Sequence, residues 1–561
     1  MNLILLFFLV ASASLLGRLF LIQIIQHREF VRAASRQHGV TQELSSERGV
    51  IFATDKEGNL IPLALNKTYR VLVASPKLIE DPAAAARRIA DAFGLDGEEI
   101  KRKLSKTGDP YEILGRKIEP EAADAFMKDP IPGVFLEDEQ RRVYPNGYLA
   151  SNLLGFVSVE DTEEAGRYGI ERFYNSELSG ANGILQGVKD ASGFLIALGK
   201  RVFYPPKNGS SVVLTIDYNI QRKAEEVLAR VKEKWGGSAG LALVMDPVSG
   251  RILAEAASPG FDPNAFSKEP DFGVFLNPAA EHSYELGSVI KPITMAAGLE
   301  EGVVKPESTY YDSGEVRIGG YTVHNFDNNA YATQTMTQVL EKSLNTGVVH
   351  VARLLGNAKQ REYLERFGLG EKTGVDLPGE VAGNISNLAS GHEIDFATAS
   401  FGQGIAVTPL GLARAIGAIA NGGALVEPYA AEKIIDDSGN EVLREPRPVR
   451  SVISKETSEA LSKMLVSTVR SGFENRAGVK GYFVAGKTGT AQIPRKDGRG
   501  YSDAVIHTFV GYAPAFDPKF LIILQLNEPS GNRFAANTLT PAFHDLAEFI
   551  LNYYEIPPDE K

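Results

Sequence analysis

The chain has 561 residues, 43% of them hydrophobic, and a formal net charge of −11 from 59 basic and 70 acidic side chains. That length exceeds what one hydrophobic core supports, so two or three domains are predicted, and interspersed charge of net negative sign leaves no basic stripe for nucleic acid. With no cysteine there is no disulfide, thiolate metal site or cysteine nucleophile, and eight scattered histidines form no paired ligand motif; no metal or other cofactor is predicted.

Between Met1 and Gln26 the only charge is Arg18. Sixteen Leu, Ile, Phe and Val residues in this stretch, at roughly 0.3 to 0.6 kcal/mol each, outweigh the roughly 2.5 to 3.5 kcal/mol cost of one central arginine. Residues 1–27 therefore read as a transmembrane signal anchor. The alternative is a signal peptide cleaved at Ala11-Ser12-Ala13, but the apolar run continues past that site and no basic segment precedes it. Arg28, Arg32 and Arg36 follow the helix, which by the positive-inside rule favours a cytoplasmic body.

Glu47 to Phe52 reads as a strand, Asp55 to Asn59 as a turn and Leu60 to Leu63 as the next strand, the start of a β-rich stalk. Pro82 to Phe93 and Gly97 to Ser105 have helical spacing and predict an α/β insertion on it. Strand signal returns near Val143, and Pro205-Pro206-Lys207-Asn208-Gly209 is the best linker. The predicted division is a non-catalytic stalk over 28–205 and a second domain over 206–561. In that second part Val212 to Ile216 is a strand leading to a helix from Tyr218 to about Lys234. Leu241 to Asp246 and Arg251 to Ala254 form a hairpin. Thr408-Pro409 opens a helix to about Ala420, with threonine as cap and proline at the first helical position. Late strands are Phe483 to Ala485, Thr508 to Tyr512 and Phe520 to Leu526, and Pro541 to Tyr553 is the closing helix. The fold class is α+β: an antiparallel sheet covered by helices, preceded by the stalk and one membrane helix.

Three short motifs within this part carry chemistry. Ser288-Val-Ile-Lys291 is the one Ser-x-x-Lys in the chain, and a lysine one helical turn after a serine sets an amine beside a hydroxyl, so the amine can take its proton. Gly287 before and Pro292 after mark a helix start, which leaves the Ser288 N–H free for an oxyanion. Alone, this motif fits a solvated helix turn equally well. Downstream come Ser343-Leu344-Asn345, on a helical pattern from Met336 to Leu354, and Lys487-Thr488-Gly489-Thr490, after an apolar strand. Each has decoys: Lys-Thr-Gly recurs at Lys106 and Lys372, and Ser-x-Asn at Ser438 and Ser530, all in turn or loop contexts. In the ordered set, Lys291 is the base, its pKa depressed by the positive end of its helix and by Lys487. Ser343 can relay a proton between the lysines and a leaving amine, and Asn345 can bond a substrate peptide group. Gly489 admits a peptide to the backbone, while Thr488 and Thr490 offer hydroxyls to a substrate carboxylate.

With these motifs the chain closely resembles a class B penicillin-binding protein. Further likeness lies in Glu47-Arg48-Gly49, Arg142 to Gly155, Gly169-Ile170-Glu171-Arg172-Phe173-Tyr174, Leu214-Thr215-Ile216-Asp217, Ser400-Phe401-Gly402-Gln403-Gly404 and Lys487 to Gln492. The resemblance implies a cytoplasmic N-terminus, a single-pass anchor in the bacterial cell membrane and an extracytoplasmic D,D-transpeptidase. Its Ser288 would be acylated by a D-Ala-D-Ala stem peptide of peptidoglycan and, in the same way, by β-lactam antibiotics. Ser-Leu-Asn in the second motif resembles the division or sporulation type. Nothing before position 205 resembles a glycosyltransferase, so glycan polymerisation is assigned to a polytopic SEDS-type partner among divisome-like membrane proteins. Two departures from the family pattern are Leu286, where proline is usual, and the missing arginine after Asp55. A serine β-lactamase and a non-enzymatic penicillin sensor or scaffold are the alternatives. The first needs a deacylation base and the second a signalling segment, and neither is visible.

Overall fold

The computed structural model describes residues 2–27, 39–160, 163–188, 202–495 and 500–559. They form two compact units. One comprises Met1–Gly49, Ser176–Ser210 and Asp436–Ser438; the other comprises Val50–Asn175, Ser211–Ile435 and Gly439–Lys561.

In the first unit the helix Asn2–Phe20 continues into a π-helical turn, Leu21–Ile25. Ile4–Ile25, 22 residues, is long and apolar enough to cross a membrane, and none of it is buried among the described residues. The unit also holds a three-stranded antiparallel sheet in which Gly183–Val188 pairs with Gly39–Leu44 on one side and Val202–Tyr204 on the other. Arg28, Arg32 and Arg36 lie outside the described residues.

The second unit is built on two larger sheets. In a seven-stranded one, Leu60–Ala74 is the long member, paired with Ile51–Thr54, Glu112–Ile118 and Val134–Val143; Ile51–Thr54 runs parallel to Ser211–Asp217. The two helices read from spacing stand beside it. Asp81 caps Pro82–Phe93 and Asp96 caps Gly97–Leu104, each carboxylate accepting two backbone N–H groups. Ile89, Ile100 and Leu104 are buried against Leu72 and Leu114.

The second sheet is antiparallel. It contains β1 (Ala239–Met245), β2 (Ile252–Ser258), β3 (Ala485–Pro494), β4 (Tyr501–Ala513) and β5 (Phe520–Asn527), in spatial order β2-β1-β5-β4-β3. Alternate residues Ala242, Val244, Phe509, Ile522 and Leu524 bury themselves against the helices Tyr218–Trp235 and Thr540–Tyr553, each large side chain stabilising the layer by about 1.5 to 3 kcal/mol. Met245 and Tyr512 point to the other face, where Met245 Cε stands beside Gly417 of the helix Pro409–Ala420 and the Tyr512 hydroxyl is 2.8 Å from Ser462 Oγ on Lys455–Ser467. Helices therefore cover both faces, and β3 is left as an edge strand with one side unpaired.

Candidate active site

The nucleophile turn comes first in the chain. Gly287–Ile290 is a 3-10 turn, and the helix α1 (Lys291–Glu300) begins only at the lysine. The reason is Pro292: with no N–H it cannot give the Ser288 carbonyl its α-helical bond, and the Lys291 N–H bonds that carbonyl instead. In a 3-10 turn residues three apart eclipse, so Ser288 and Lys291 project on the same side. Neither the Ser288 hydroxyl nor its N–H has a hydrogen-bond partner among the described residues.

Two glycines permit the turn's close packing. A Cβ on Gly489 of β3 would stand 2.4 Å from the Leu286 carbonyl oxygen, and one on Gly402 would stand 2.2 Å from that of Gly287. The Gly287 N–H donates to the Gly402 carbonyl at 3.2 Å, and Thr294 Oγ1 to that of Ser400 at 2.9 Å. Gly489 was expected to admit a substrate peptide; in the structure the backbone it admits is the nucleophile's own turn. The Ser400–Gly404 segment clamps that turn from another side, which sequence reasoning did not assign.

The second motif departs further from expectation. Met336 to Leu354 is not one helix: α2 (Met336–Glu341) ends before Ser343, and α3 (Asn345–Leu355) starts after it. Ser343 has φ of 55°. The Leu344 N–H bonds the Val339 carbonyl at 2.9 Å and the Ser343 N–H that of Leu340 at 3.2 Å. This is a Schellman cap with serine in the left-handed position that glycine usually takes. The cap turns the Ser343 hydroxyl toward two amines. Lys291 Nζ donates to Ser343 O at 2.5 Å and lies 3.2 Å from Ser343 Oγ, while Lys487 Nζ donates to the same Oγ at 2.9 Å and to Thr488 O at 3.0 Å.

Both amines are fully buried. Burial, and secondarily the Lys487 charge, holds Lys291 well below the usual lysine value of 10.5; burial alone pushes Lys487 down to about 7. Removal from water is the larger effect, and the Lys487 charge adds to it.

Asn345 does not stand free: its Nδ2 donates to the His324 carbonyl at 2.8 Å. The loop it holds is anchored by Asp312, whose carboxylate accepts from Thr346 Oγ1 at 2.7 Å, Asn325 Nδ2 at 2.9 Å, Gly314 N–H at 3.1 Å and Tyr331 N–H at 3.0 Å. Asp312 carries no motif and was missed. On β3, Lys487 and Gly489 face the nucleophile turn, while Thr488 and Thr490 alternate to the other face, half-buried at the free edge. A ligand laid along that edge has both threonines within its reach.

Comparison with known proteins identifies the fold that carries these residues. Residues 240–548 match the penicillin binding protein transpeptidase domain and residues 43–214 the penicillin-binding protein dimerisation domain. The chain is 31% identical to stage V sporulation protein D of Bacillus subtilis, over 96% of this chain and 83% of that one, and 30% identical to peptidoglycan D,D-transpeptidase FtsI of Escherichia coli K12, over 98% and 91%. Among solved structures, penicillin binding protein 2X of Streptococcus thermophilus shares the fold with a TM-score of 0.79 at 22% identity, covering 92% of this chain and 81% of that one. Penicillin binding protein 3 of Mycobacterium tuberculosis, complexed with aztreonam, gives a TM-score of 0.70 at 26% identity, with 92% and 98% covered. A serine at the head of a buried two-lysine cleft, on a fold these proteins share, follows from descent: the chain belongs to the penicillin-binding protein transpeptidase family.

Proposed function

We propose that this protein is a serine D,D-transpeptidase that cross-links peptidoglycan stem peptides through an acyl-enzyme on Ser288, and that β-lactams acylate the same residue. The observation that carries the reading is the Ser343 hydroxyl held between two buried amines beside the nucleophile turn. Lys291, whose burial favours the neutral amine, takes the Ser288 proton as Oγ bonds the carbonyl carbon of the penultimate D-alanine. The oxyanion meets the unpaired Ser288 N–H and the Thr490 N–H of β3; one such donor contributes roughly 2.7 to 4 kcal/mol in the transition state. Collapse breaks the C–N bond, and the departing D-alanine nitrogen receives a proton from Ser343 Oγ, which is resupplied by Lys291. In the second half an acceptor amine attacks the ester, gives up its proton by the same route, and Ser288 Oγ regains it. Thr488 and Thr490 hold the substrate carboxylate and Asn345 its peptide group.

Around this centre we assign residues 1–27 as a single-pass anchor in the bacterial cell membrane, 28–205 as the non-catalytic domain and 206–561 as the extracytoplasmic catalytic domain, acting in septal or related wall synthesis beside a SEDS-type glycosyltransferase. The apolar helix supports the first of these. The names of the relatives, a sporulation protein and FtsI, support the role.

The test is covalent labelling with a fluorescent penicillin and peptide mapping. A single adduct on Ser288 is expected, absent in Ser288→Ala and persisting for many minutes. Labelling that survives Ser288→Ala would overturn the nucleophile, and an adduct hydrolysed within seconds would favour a β-lactamase.

A further inference from the structure

His507 lies on β4 directly opposite Thr490 of β3, so the two side chains share one face of the sheet. Across that face runs a short helical turn, α4 (Ala535–Thr538). Three hydrogen bonds join these parts: Ala535 N–H donates to Thr490 Oγ1 at 3.3 Å, Thr538 Oγ1 donates to the Ala535 carbonyl at 3.3 Å, and His507 Nδ1 lies 2.9 Å from Thr538 Oγ1. His507, Ala535 and Thr538 are almost wholly buried.

Proton bookkeeping orders this chain. A hydroxyl has one proton. When Thr538 Oγ1 donates to the Ala535 carbonyl, it accepts from the Nδ1–H tautomer of His507. Burial pushes the His507 pKa down to about 4, so the imidazole is neutral near pH 7. At the other end the Ala535 N–H occupies one acceptor lone pair of Thr490 Oγ1 and leaves its O–H free to donate.

We propose that His507 and Thr538 are positioning residues that fix Thr490 as a hydrogen-bond donor aimed at the substrate's terminal carboxylate. They touch no reacting atom. His507 holds Thr538, Thr538 holds the turn at Ala535, and the Ala535 N–H holds Thr490 Oγ1 in place with its O–H free to donate. The inference rests on the reading that Thr490 meets the carboxylate. It adds a specificity device to that reading: a ligand with an anionic acceptor is bound in register, whereas one whose carboxylate is esterified loses the charge that the preset donor matches. In the sequence, His507 stands just before the strand read from Thr508 and belongs to no motif, because its partner Thr538 is 31 positions away.

The experiment measures the second-order rate constant for acylation of the detergent-solubilised full chain by a penicillin and by its methyl ester. Thr538→Val removes the hydroxyl at nearly constant volume; Thr538→Ser keeps it; His507→Asn keeps a donor near the Nδ1 position and His507→Phe does not. We expect Thr538→Val and His507→Phe to slow acylation by the acid roughly tenfold or more, the scale of one hydrogen bond to a charged group. The ester should change by less than about twofold, and Thr538→Ser and His507→Asn should recover most of the loss. Thr490→Val is the reference. If it abolishes the preference for the acid and Thr538→Val leaves that preference intact, the positioning chain is wrong while the carboxylate site stands. If Thr490→Val itself leaves the acid-to-ester ratio unchanged, the carboxylate reading fails and the proposal falls with it. An equal fall for acid and ester in Thr538→Val would mean a merely structural role and would also overturn the proposal.

Discussion

A lysine without water is the unusual residue here, and Lys487 shows its cost. The unfolded chain binds a proton at this side chain up to about pH 10.5, whereas the folded protein, with the pKa pushed down to about 7, releases it above that value. Between the two, unfolding takes up a proton, so stability rises with pH; below about 7 both states carry the proton and the penalty stays constant. Lys487→Met, which keeps the volume and removes the charge, should therefore raise the thermal midpoint most at or below pH 7 and progressively less toward pH 10. A midpoint difference that does not shrink as the pH rises would show that burial does not set this pKa. The same variant should acylate Ser288 at least roughly 10²-fold more slowly, as loss of a proton-transfer partner requires. With the Lys487 charge gone, Lys291 is less depressed, so the acid limb of any residual acylation should move to higher pH. A limb that stays in place would mean that the two amines do not feel each other.

At the scale of elements, the site depends on how closely α2 and α3 approach on either side of the Ser343 cap. Gly347, the third residue of α3, is the point of contact: a Cβ there would lie 2.5 and 2.7 Å from the two methyl carbons of Val339 on α2. Gly347→Ala should push the helices apart and carry Ser343 Oγ off the line between Lys291 and Lys487. A displacement near 1 Å at a proton-transfer centre costs about a hundredfold in rate, so a ten- to hundredfold loss of acylation is expected from a folded protein. Val339→Ala in the same chain should restore most of it by removing the methyls. If Gly347→Ala acylates normally, the helix contact does not set the serine's position. This element also marks where sequence reading stopped. Met336 to Leu354 keeps helical spacing of apolar residues straight through the break, because periodicity registers which side chains face the core and says nothing about φ. The cap position that glycine would have announced is filled by serine. The strands and helices with unbroken patterns were legible: Pro82–Phe93 and Pro409–Ala420 fall where spacing and capping residues put them. The 3-10 form of the nucleophile turn was hidden, although Pro292, which causes it, was in plain view.

For the whole molecule, the residues we propose as reactive were legible as motifs and the contacts that support them were not. Ser288, Lys291, Ser343 and Lys487 stand in short motifs whose order in the chain carries information. Asp312, Gly402 and His507 act through partners brought near only by the fold, such as β3 lying beside β4 and across from a turn that precedes it by 200 residues. A strand pattern shows that a segment pairs without showing with whom, so the sheet order β2-β1-β5-β4-β3 could not be written from sequence. The N-terminal helix is the opposite case, fully legible and without any role in that packing. Ile4–Ile25 is apolar but for Arg18 and a few uncharged polar residues and supplies no strand to the sheets, so deleting residues 1–27 should leave a soluble, folded protein that binds penicillin within about twofold of the full chain. On our reading its absence matters in the cell alone. Stem peptides on nascent glycan are presented at the membrane, and tethering a catalytic domain there raises its effective concentration to about the millimolar range; a freely diffusing copy loses that advantage and any contact the helix makes with a polytopic partner. The shortened protein, exported by a cleavable signal, should label with penicillin and yet fail to replace the full chain in growing or sporulating cells. Replacing the helix with an unrelated membrane span separates the two contributions. Recovery by any span means that location suffices, whereas failure by every foreign span means that the native sequence of Leu3 to Ile25 contacts a partner. Full complementation by the soluble form would show that the helix serves only in export, and would favour cleavage at Ala11-Ser12-Ala13.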